Sequence, residues 1–242
     1  MEPPALTRRG LLRAGSLALL PAALARGSER GSVAAAPNLP AVRGSYAFFD
    51  ADEAAFVEAA LARLIPADEL GPGALEAGVA LFIDGQLAGR FGQALDWYMQ
   101  GPFAHGTKQQ GWQLALTPAG LYRAAIRAVD AHCRGAHGGR AFAALGAAEQ
   151  DALLHALERD ELTFPDAPGK TFFHLLWRNT QEGYFADPLY GGNRGFAGWK
   201  LIGFPGPRYN YVGDIARYGV PYRRATVGLM GRDPTRLPAG AT

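Results

Sequence analysis

The sequence predicts an all-α protein, a single irregular helical domain with a Gly/aromatic-rich C-terminal loop region. Apolar residues recur at three- and four-residue spacing in several segments, which is the period of one helical face. No long alternation of apolar and polar residues occurs, and no strand–helix–strand spacing that would build a parallel sheet. A hydrophobic fraction of 48% supplies enough apolar material for a core and excludes a disordered chain.

Three helices are predicted in the first half of the chain. Asp50 and Glu53 have the spacing of a capping box, which predicts a helix that begins after Asp50 and stops before Pro66. A second amphipathic helix is predicted from Leu75 to Leu87. A third is predicted from Ala94 to Gln100.

Three more helices are predicted in the second half. Thr117 and Pro118 are a good N-cap and first helical residue, and an apolar face continues to Val129. Another helix is predicted after Gly146, and the last is predicted near residues 169–185. The segment 183–206 holds seven glycines and six aromatic residues. That composition favours a packed, non-helical loop in which the backbone approaches its neighbours closely.

The N-terminus has the pattern of an export signal. Arg8 and Arg9 precede a mildly apolar, uncharged run from Ala14 to Ala25, which ends in an A-x-A-like cleavage site. Paired arginines before such a run resemble a twin-arginine signal. The run is too short to span a bilayer, for which roughly 20 residues are needed. We expect residues 1–36 to be a signal peptide and spacer, 37–206 the helical domain, and 207–242 an extended Arg/Pro-containing tail.

The charge of the chain does not indicate a nucleic-acid partner. The formal net charge is only +2, and residues 1–36 carry 5 arginines against 2 glutamates. The remaining chain has 19 basic and 20 acidic side chains, so its net charge is slightly negative. A basic footprint for nucleic acid is therefore missing.

Most reactive constellations are missing from the sequence. The single cysteine, Cys133, excludes an intrachain disulfide and covalent attachment of a c-type haem. No glycine-rich nucleotide fingerprint occurs, and every serine precedes the helical body. His155 and Glu158 have the spacing of a metal-ligand pair in reversed order, with no second pair to complete a site. A catalytic role for Cys133, between His132 and Arg134, is the weaker interpretation beside a thiol at a helix end.

Two alternative functions rest on particular residues. Glu182 and Asp187 could form the acid–base pair of an independent periplasmic carbohydrate-active enzyme. The plainer interpretation makes Asp187, before Pro188, an N-cap or turn residue, and lets Glu182 bind a nearby amide or arginine. A free-standing sugar-binding protein would use aromatic stacking platforms, namely Trp97, Tyr98 and Trp199.

The loop after residue 183 supplies the candidate partner interface. Aromatic residues and arginine are the usual anchors of protein interfaces, although the same rings could close the core of the chain. We expect Trp199 and Phe204 to be buried and Tyr190 and Arg194 to be accessible. The full set of candidate interface residues is Tyr190, Asn193, Arg194, Trp199, Lys200 and Phe204.

Several blocks of the sequence together resemble one family, the gluconate 2-dehydrogenase subunit 3 family, which comprises gamma, or small, subunits. The resemblance covers roughly Phe48 to Tyr211, and the upstream arginine pair fits it. The blocks are LIPAD at residues 64–68, GPG at 71–73, WYMQGPF at 97–103, QQG at 109–111, LTP at 116–118, NTQEGYFADP at 179–188, YGGNR at 190–194 and GWKLIG at 198–203.

The resemblance implies a non-catalytic subunit of a periplasmic dehydrogenase complex. In such complexes an FAD-containing large flavoprotein oxidises a sugar or sugar acid, and a multihaem cytochrome c subunit passes the electrons to the quinone pool. The small subunit brings the export signal for the twin-arginine translocase and supports maturation of the flavoprotein. The resemblance therefore implies no cofactor, metal or catalytic residue in this chain, and a periplasmic location at the inner membrane through the complex. The tail 207–242 has no counterpart in it.

Overall fold

The computed structural model describes residues 45–104, 106–222 and 224–231, and these form six α-helices and no strand. The export-signal prediction, with Arg8 and Arg9, lies outside the described residues. The helices are α1 (Ala51–Leu64), α2 (Val79–Ala88), α3 (Pro118–Ala136), α4 (Ala147–Glu158), α5 (Gly169–Phe185) and α6 (Ala197–Ile202). The all-α prediction is confirmed. No helix in the described part of the chain is both long enough and apolar enough to cross a membrane.

Helix α5 is the centre of the fold, because it contacts each of the other five helices. Phe172 and Leu176 of α5 are fully buried. The ring of Phe172 packs against Phe56 of α1 and edge-on against Tyr122 of α3, with centroids 6.1 and 5.3 Å away. Most of the hydrophobic core therefore lies around one helix, whose C-terminal end carries the loop described below.

Local sequence signals set the starts of two helices. The Asp50 carboxylate accepts a hydrogen bond from the Glu53 amide at 2.9 Å, and the Glu53 carboxylate accepts one from the Asp50 amide at 3.1 Å. This is the expected capping box. The Thr117 hydroxyl accepts a hydrogen bond from the Gly120 amide at 3.1 Å, and Pro118 occupies the first turn. These side chains satisfy amides that a helix N-terminus otherwise leaves unpaired.

The helix predicted from Ala94 to Gln100 is wrong. Residues 89–97 form successive turns, and Ala94 has a φ of +52°. The reason is a close contact that no periodicity reveals. A Cβ at Gly92 would lie 1.9 Å from the Leu87 carbonyl oxygen, so the chain folds back tightly against the end of α2.

The segment 183–206 is less irregular than its composition suggests. Helix α5 continues to Phe185, and α6 forms within the segment between two 3₁₀ turns and a left-handed C-cap at Gly203. The expectation of a wholly non-helical loop is therefore wrong for residues 197–202.

A buried carboxylate holds the first described residues against the domain. Asp84 of α2 accepts hydrogen bonds from the backbone amides of Ala47, Phe48 and Phe49, at 2.8, 2.9 and 3.0 Å. The Arg123 guanidinium lies over the Phe48 ring and donates to the Phe48 carbonyl at 3.0 Å. These contacts fix the place where the N-terminal region leaves the helical domain.

Candidate partner-binding surface

The loop after α5 is built around a buried amide, that of Asn193. Its Nδ2 donates to the Ala186 carbonyl at 2.7 Å, and its Oδ1 accepts from the Gly198 amide at 2.8 Å. Asn193 has a φ of +50°, a conformation that asparagine tolerates better than most residues. One side chain thereby joins the end of α5 to the start of α6.

Two glycines allow this loop to lie directly on the end of α5. A Cβ at Gly192 would lie 2.1 Å from the Gly183 carbonyl oxygen, and a Cβ at Gly198 would lie 2.1 Å from the Tyr184 carbonyl oxygen. Neither space accepts a side chain, so the close approach expected from the glycine content is confirmed here. The loop is a compact extension of the helical core.

Trp199 is buried, and its hydrogen bond and ring contacts anchor the loop to the rest of the domain. Its Nε1 donates to the Phe185 carbonyl at 2.7 Å. Its ring stacks on Phe196 at 5.4 Å and meets Phe204 edge-on at 5.0 Å between centroids. Neither face is free to stack on a sugar, which removes Trp199 from the sugar-binding alternative.

The other two residues of that alternative have different surroundings. Trp97 is half-buried, with its ring 5.7 Å from Phe91 and 5.3 Å from Trp112, whereas Tyr98 is exposed. Trp97 therefore packs within a local aromatic group of this chain.

The candidate interface residues divide into two sets. Tyr190 and Lys200 are exposed, Phe204 is 39% exposed, and Arg194 is half-buried. Asn193 and Trp199 are buried and bonded within the chain. The expected burial of Trp199 and accessibility of Tyr190 are confirmed, whereas Phe204 is more exposed than expected. Of the six candidate interface residues, Tyr190, Arg194, Lys200 and Phe204 are therefore the ones with side chains at least partly accessible.

Glu182 and Asp187 have separate roles. Glu182 is exposed on α5 and accepts from the Arg178 guanidinium, one turn earlier, at 2.8 Å. Asp187 is buried and caps the 3₁₀ turn Pro188–Tyr190 by accepting from the Leu189 amide at 3.0 Å. These are the plainer roles expected for both residues, and the arrangement gives the acid–base alternative no support.

The second oxygen of Asp187 has a partner that the sequence does not indicate. It accepts from the backbone amide of Leu229 at 2.7 Å, so the tail returns to the loop at this carboxylate. The two residues are 42 positions apart, and neither periodicity nor a motif links them.

Cys133 and the pair His155 and Glu158, the other candidate reactive residues, also make contacts that serve the fold. Cys133 is buried, and burial together with the Asp130 carboxylate raises the pKa of its thiol to about 11, so the thiol stays protonated. His155 Nδ1 lies 3.2 Å from the Glu158 carboxylate. In the described part of the chain, no group of three or more His, Cys, Asp or Glu side chains is placed to hold a metal ion.

Exposed large hydrophobic side chains are concentrated near the C-terminus. Among the described residues 16 such side chains are exposed, and 12 of them lie between residues 189 and 230. This concentration makes residues 189–230 the candidate segment for contact with a partner. The 12 are Leu189, Tyr190, Ile202, Phe204, Tyr209, Tyr211, Val212, Ile215, Tyr218, Val220, Leu229 and Met230.

These features define a class of protein, namely a small helical chain with many exposed apolar side chains near its C-terminus and no metal-binding cluster among its described residues. The chain belongs to the gluconate 2-dehydrogenase subunit 3 family, whose model matches residues 51–206. Membership makes it a subunit of a multi-subunit dehydrogenase complex. No curated protein and no solved structure matches the chain.

Proposed function

We propose that this chain is the non-catalytic small subunit of a periplasmic, FAD-dependent sugar or sugar-acid dehydrogenase complex. It binds the large flavoprotein in the cytoplasm, carries it through the twin-arginine translocase and supports its maturation. The observation that carries the proposal is family membership joined to an N-terminal arginine pair, Arg8 and Arg9. The twin-arginine route moves folded proteins, so one signal can serve two bound chains.

The described surface supports a role in binding. A stable protein interface buries at least about 1,000 Å² in total and has an apolar centre. Residues 189–230 carry 12 exposed large apolar side chains, the residue type from which such a centre is built, and arginines and a lysine lie among them in the sequence. The loop after α5 is fixed by Asn193 and Trp199, so it presents its exposed residues without a large ordering cost.

The proposal assigns the redox groups to the partners. FAD belongs to the large flavoprotein, and haem c belongs to a multihaem cytochrome subunit that delivers electrons to the respiratory chain. The single cysteine of this chain suits that division, because a c-type haem is attached through two cysteines. The complex is then located at the periplasmic face of the inner membrane.

Co-expression with an FAD-dependent dehydrogenase subunit encoded beside this chain's gene tests the carrier role, once sequencing of the flanking genes has identified one. The double variant Arg8→Lys, Arg9→Lys should abolish flavoprotein activity in the periplasmic fraction and leave it in the cytoplasm. The matched control is Arg26→Lys, Arg30→Lys, which makes the same exchange beyond the arginine pair and should export normally. Unchanged periplasmic activity in the first variant would contradict the proposal.

A further inference from the structure

The tail forms a loop whose two ends, at Arg208 and Ala225, are joined. The Arg208 guanidinium donates to the Ala225 carbonyl at 2.6 Å and to the Tyr222 hydroxyl at 3.1 Å. Just beyond the loop, the Val227 amide donates to the Pro205 carbonyl at 3.3 Å. These contacts at its base fix the loop to the segment that follows α6.

Successive turns within this loop curve the backbone around a cavity. A 3₁₀ turn covers Val212–Asp214, and the Arg217 amide donates to the Asp214 carbonyl at 2.9 Å. The Val220 amide then donates to the Arg217 carbonyl at 3.2 Å, in a turn where Gly219 has a φ of +77°. The cavity has a volume of about 480 Å³, which is within the range that holds a small organic molecule.

The charged side chains that line this cavity have an excess of positive charge. Its described lining includes two arginines, Arg217 and Arg224, against one aspartate, Asp214, for a net charge of +1. The Asp214 carboxylate lies 3.4 Å from the Arg217 guanidinium and 3.6 Å from that of Arg224. The second distance is longer than a hydrogen bond, and Arg224 donates no hydrogen bond within the described part of the chain. One carboxylate therefore compensates only one of the two arginines, and the N–H groups of Arg224 are available to a ligand.

Aromatic rings lie beside these guanidinium groups. The Arg224 Cζ lies 5.3 Å from the centroid of the Tyr222 ring, and the Arg208 Cζ lies 5.9 Å from the same centroid. Tyr222 and the exposed Tyr218 both line the cavity. A guanidinium held over a ring by a cation–π contact loses less freedom when it binds an anion. Cationic groups and aromatic surface therefore border the same space.

We propose that this cavity binds a small organic anion, in which a carboxylate or phosphate group is joined to a planar ring. Arg217 and Arg224 bind the anionic oxygens through charge-assisted hydrogen bonds, and Tyr218 and Tyr222 pack against the ring. An inorganic anion alone would leave most of the cavity to water, so the ring is part of the ligand. The site lies beyond residues 51–206, which the family model matches, and the inference does not depend on the function proposed above.

Isothermal titration calorimetry of the full-length chain tests the site with four probes. Phenyl phosphate and benzoate carry both features of the ligand, inorganic phosphate lacks the ring, and benzyl alcohol lacks the charge. We expect one molecule of phenyl phosphate or benzoate to bind per chain, and the other two probes to bind at least about tenfold more weakly. The tighter of the two aromatic anions identifies the group that the site takes.

Three results of this titration would overturn the proposal. Inorganic phosphate that binds as tightly as the aromatic anions would reveal only a general attraction of anions to exposed arginines. Benzyl alcohol that binds as tightly would show that the charge has no role. Absence of binding by both aromatic anions would remove the site altogether.

Arg224→Gln identifies the group that binds the anion. Because Arg224 donates no hydrogen bond within the described part of the chain, the loop should stay folded, and the tighter aromatic anion should bind at least about tenfold more weakly. The matched control is Arg159→Gln, since Arg159 also lies beside one carboxylate and its side chain is 53% exposed, against 60% for Arg224. The control should bind within about twofold of the wild type. Equal affinities of Arg224→Gln and the wild type would contradict the assignment.

Asp214→Asn tests the excess charge from the opposite side. Asparagine keeps an oxygen that can accept from Arg217, while the net charge of the described lining rises from +1 to +2. The aromatic anion should then bind at least about twofold more tightly, and the gain should shrink as sodium chloride is added. A purely structural ion pair predicts no gain. Unchanged or weaker binding in this variant would overturn the role given to the arginines.

Discussion

Asp84 is the side chain that attaches residues 47–49 to the helical domain. Its carboxylate accepts three backbone amides, of which Oδ1 serves Phe48 and Phe49 and Oδ2 serves Ala47. Asp84→Asn keeps the size of the side chain. Its amide oxygen can still serve Phe48 and Phe49, but the NH₂ group then faces the Ala47 amide. One charge-assisted bond is lost, which costs about 1.5–3 kcal/mol.

Asp84→Ala removes all three bonds. The segment can detach locally, and the largest further loss is then the burial of the Phe49 side chain, worth about 1.5–3 kcal/mol. We therefore expect a loss of about 2 kcal/mol for Asp84→Asn and about 3–4 kcal/mol for Asp84→Ala.

Urea unfolding of the full-length chain measures these losses, with Asp166→Asn as the control. Asp166 is exposed, so its replacement should change the free energy of unfolding by less than about 0.5 kcal/mol. Hydrogen exchange should show lost protection at residues 47–49 in both Asp84 variants. A loss below about 1 kcal/mol for Asp84→Ala, with unaltered exchange at these amides, would refute the reasoning.

Three further variants test other contacts. Gly198→Ala should destabilise the chain by about 2–3 kcal/mol in urea, because its Cβ would meet the Tyr184 carbonyl, whereas Gly213→Ala, in open space, should be within about 0.5 kcal/mol of the wild type. Tyr122→Phe should be neutral or stabilising by up to about 1 kcal/mol, since the buried hydroxyl has no hydrogen-bond partner among the described residues; a clear loss of stability would reveal a bound partner. For Glu149, hydrogen bonds from Arg140 and the Gly146 amide lower the pKa to about 2, so its stabilising effect is present above the ordinary value of 4.5 and disappears as the pH falls towards 2. The Tm difference between wild type and Glu149→Gln should close over that range, and a constant difference would contradict it.

Local signals predicted the helices well where a side chain acts within its own turn. The capping box of Asp50 and the Thr117–Pro118 start both depend on contacts within three residues, and the structure contains both. Periodicity failed at Ala94–Gln100, where the decisive contact joins Gly92 to Leu87 and the polypeptide turns instead of continuing. A glycine that allows a backbone contact resembles any other glycine in a sequence.

The candidate surface was predictable in composition but not in detail. The aromatic and glycine content of residues 183–206 predicted a packed segment, and Gly192 and Gly198 fulfil that prediction. The expectation that Trp199 is buried and Tyr190 accessible is confirmed, but composition cannot fix every ring, and Phe204, expected to be buried, is 39% exposed. The return of Leu229 to Asp187 depends on tertiary geometry alone.

Asp84 and Asp187 show one physical device used at both ends of the domain. Each is a buried carboxylate that accepts backbone amides of a segment near one end of the described chain: Asp84 accepts three such amides, and Asp187 accepts that of Leu229. A carboxylate suits this task because it accepts several hydrogen bonds without requiring a particular side chain from the segment it holds. The residues that follow Leu229, or that precede Ala47, can therefore change without loss of the attachment. In the function proposed above, the N-terminal attachment and the attachment of the tail are both separate from the core around α5.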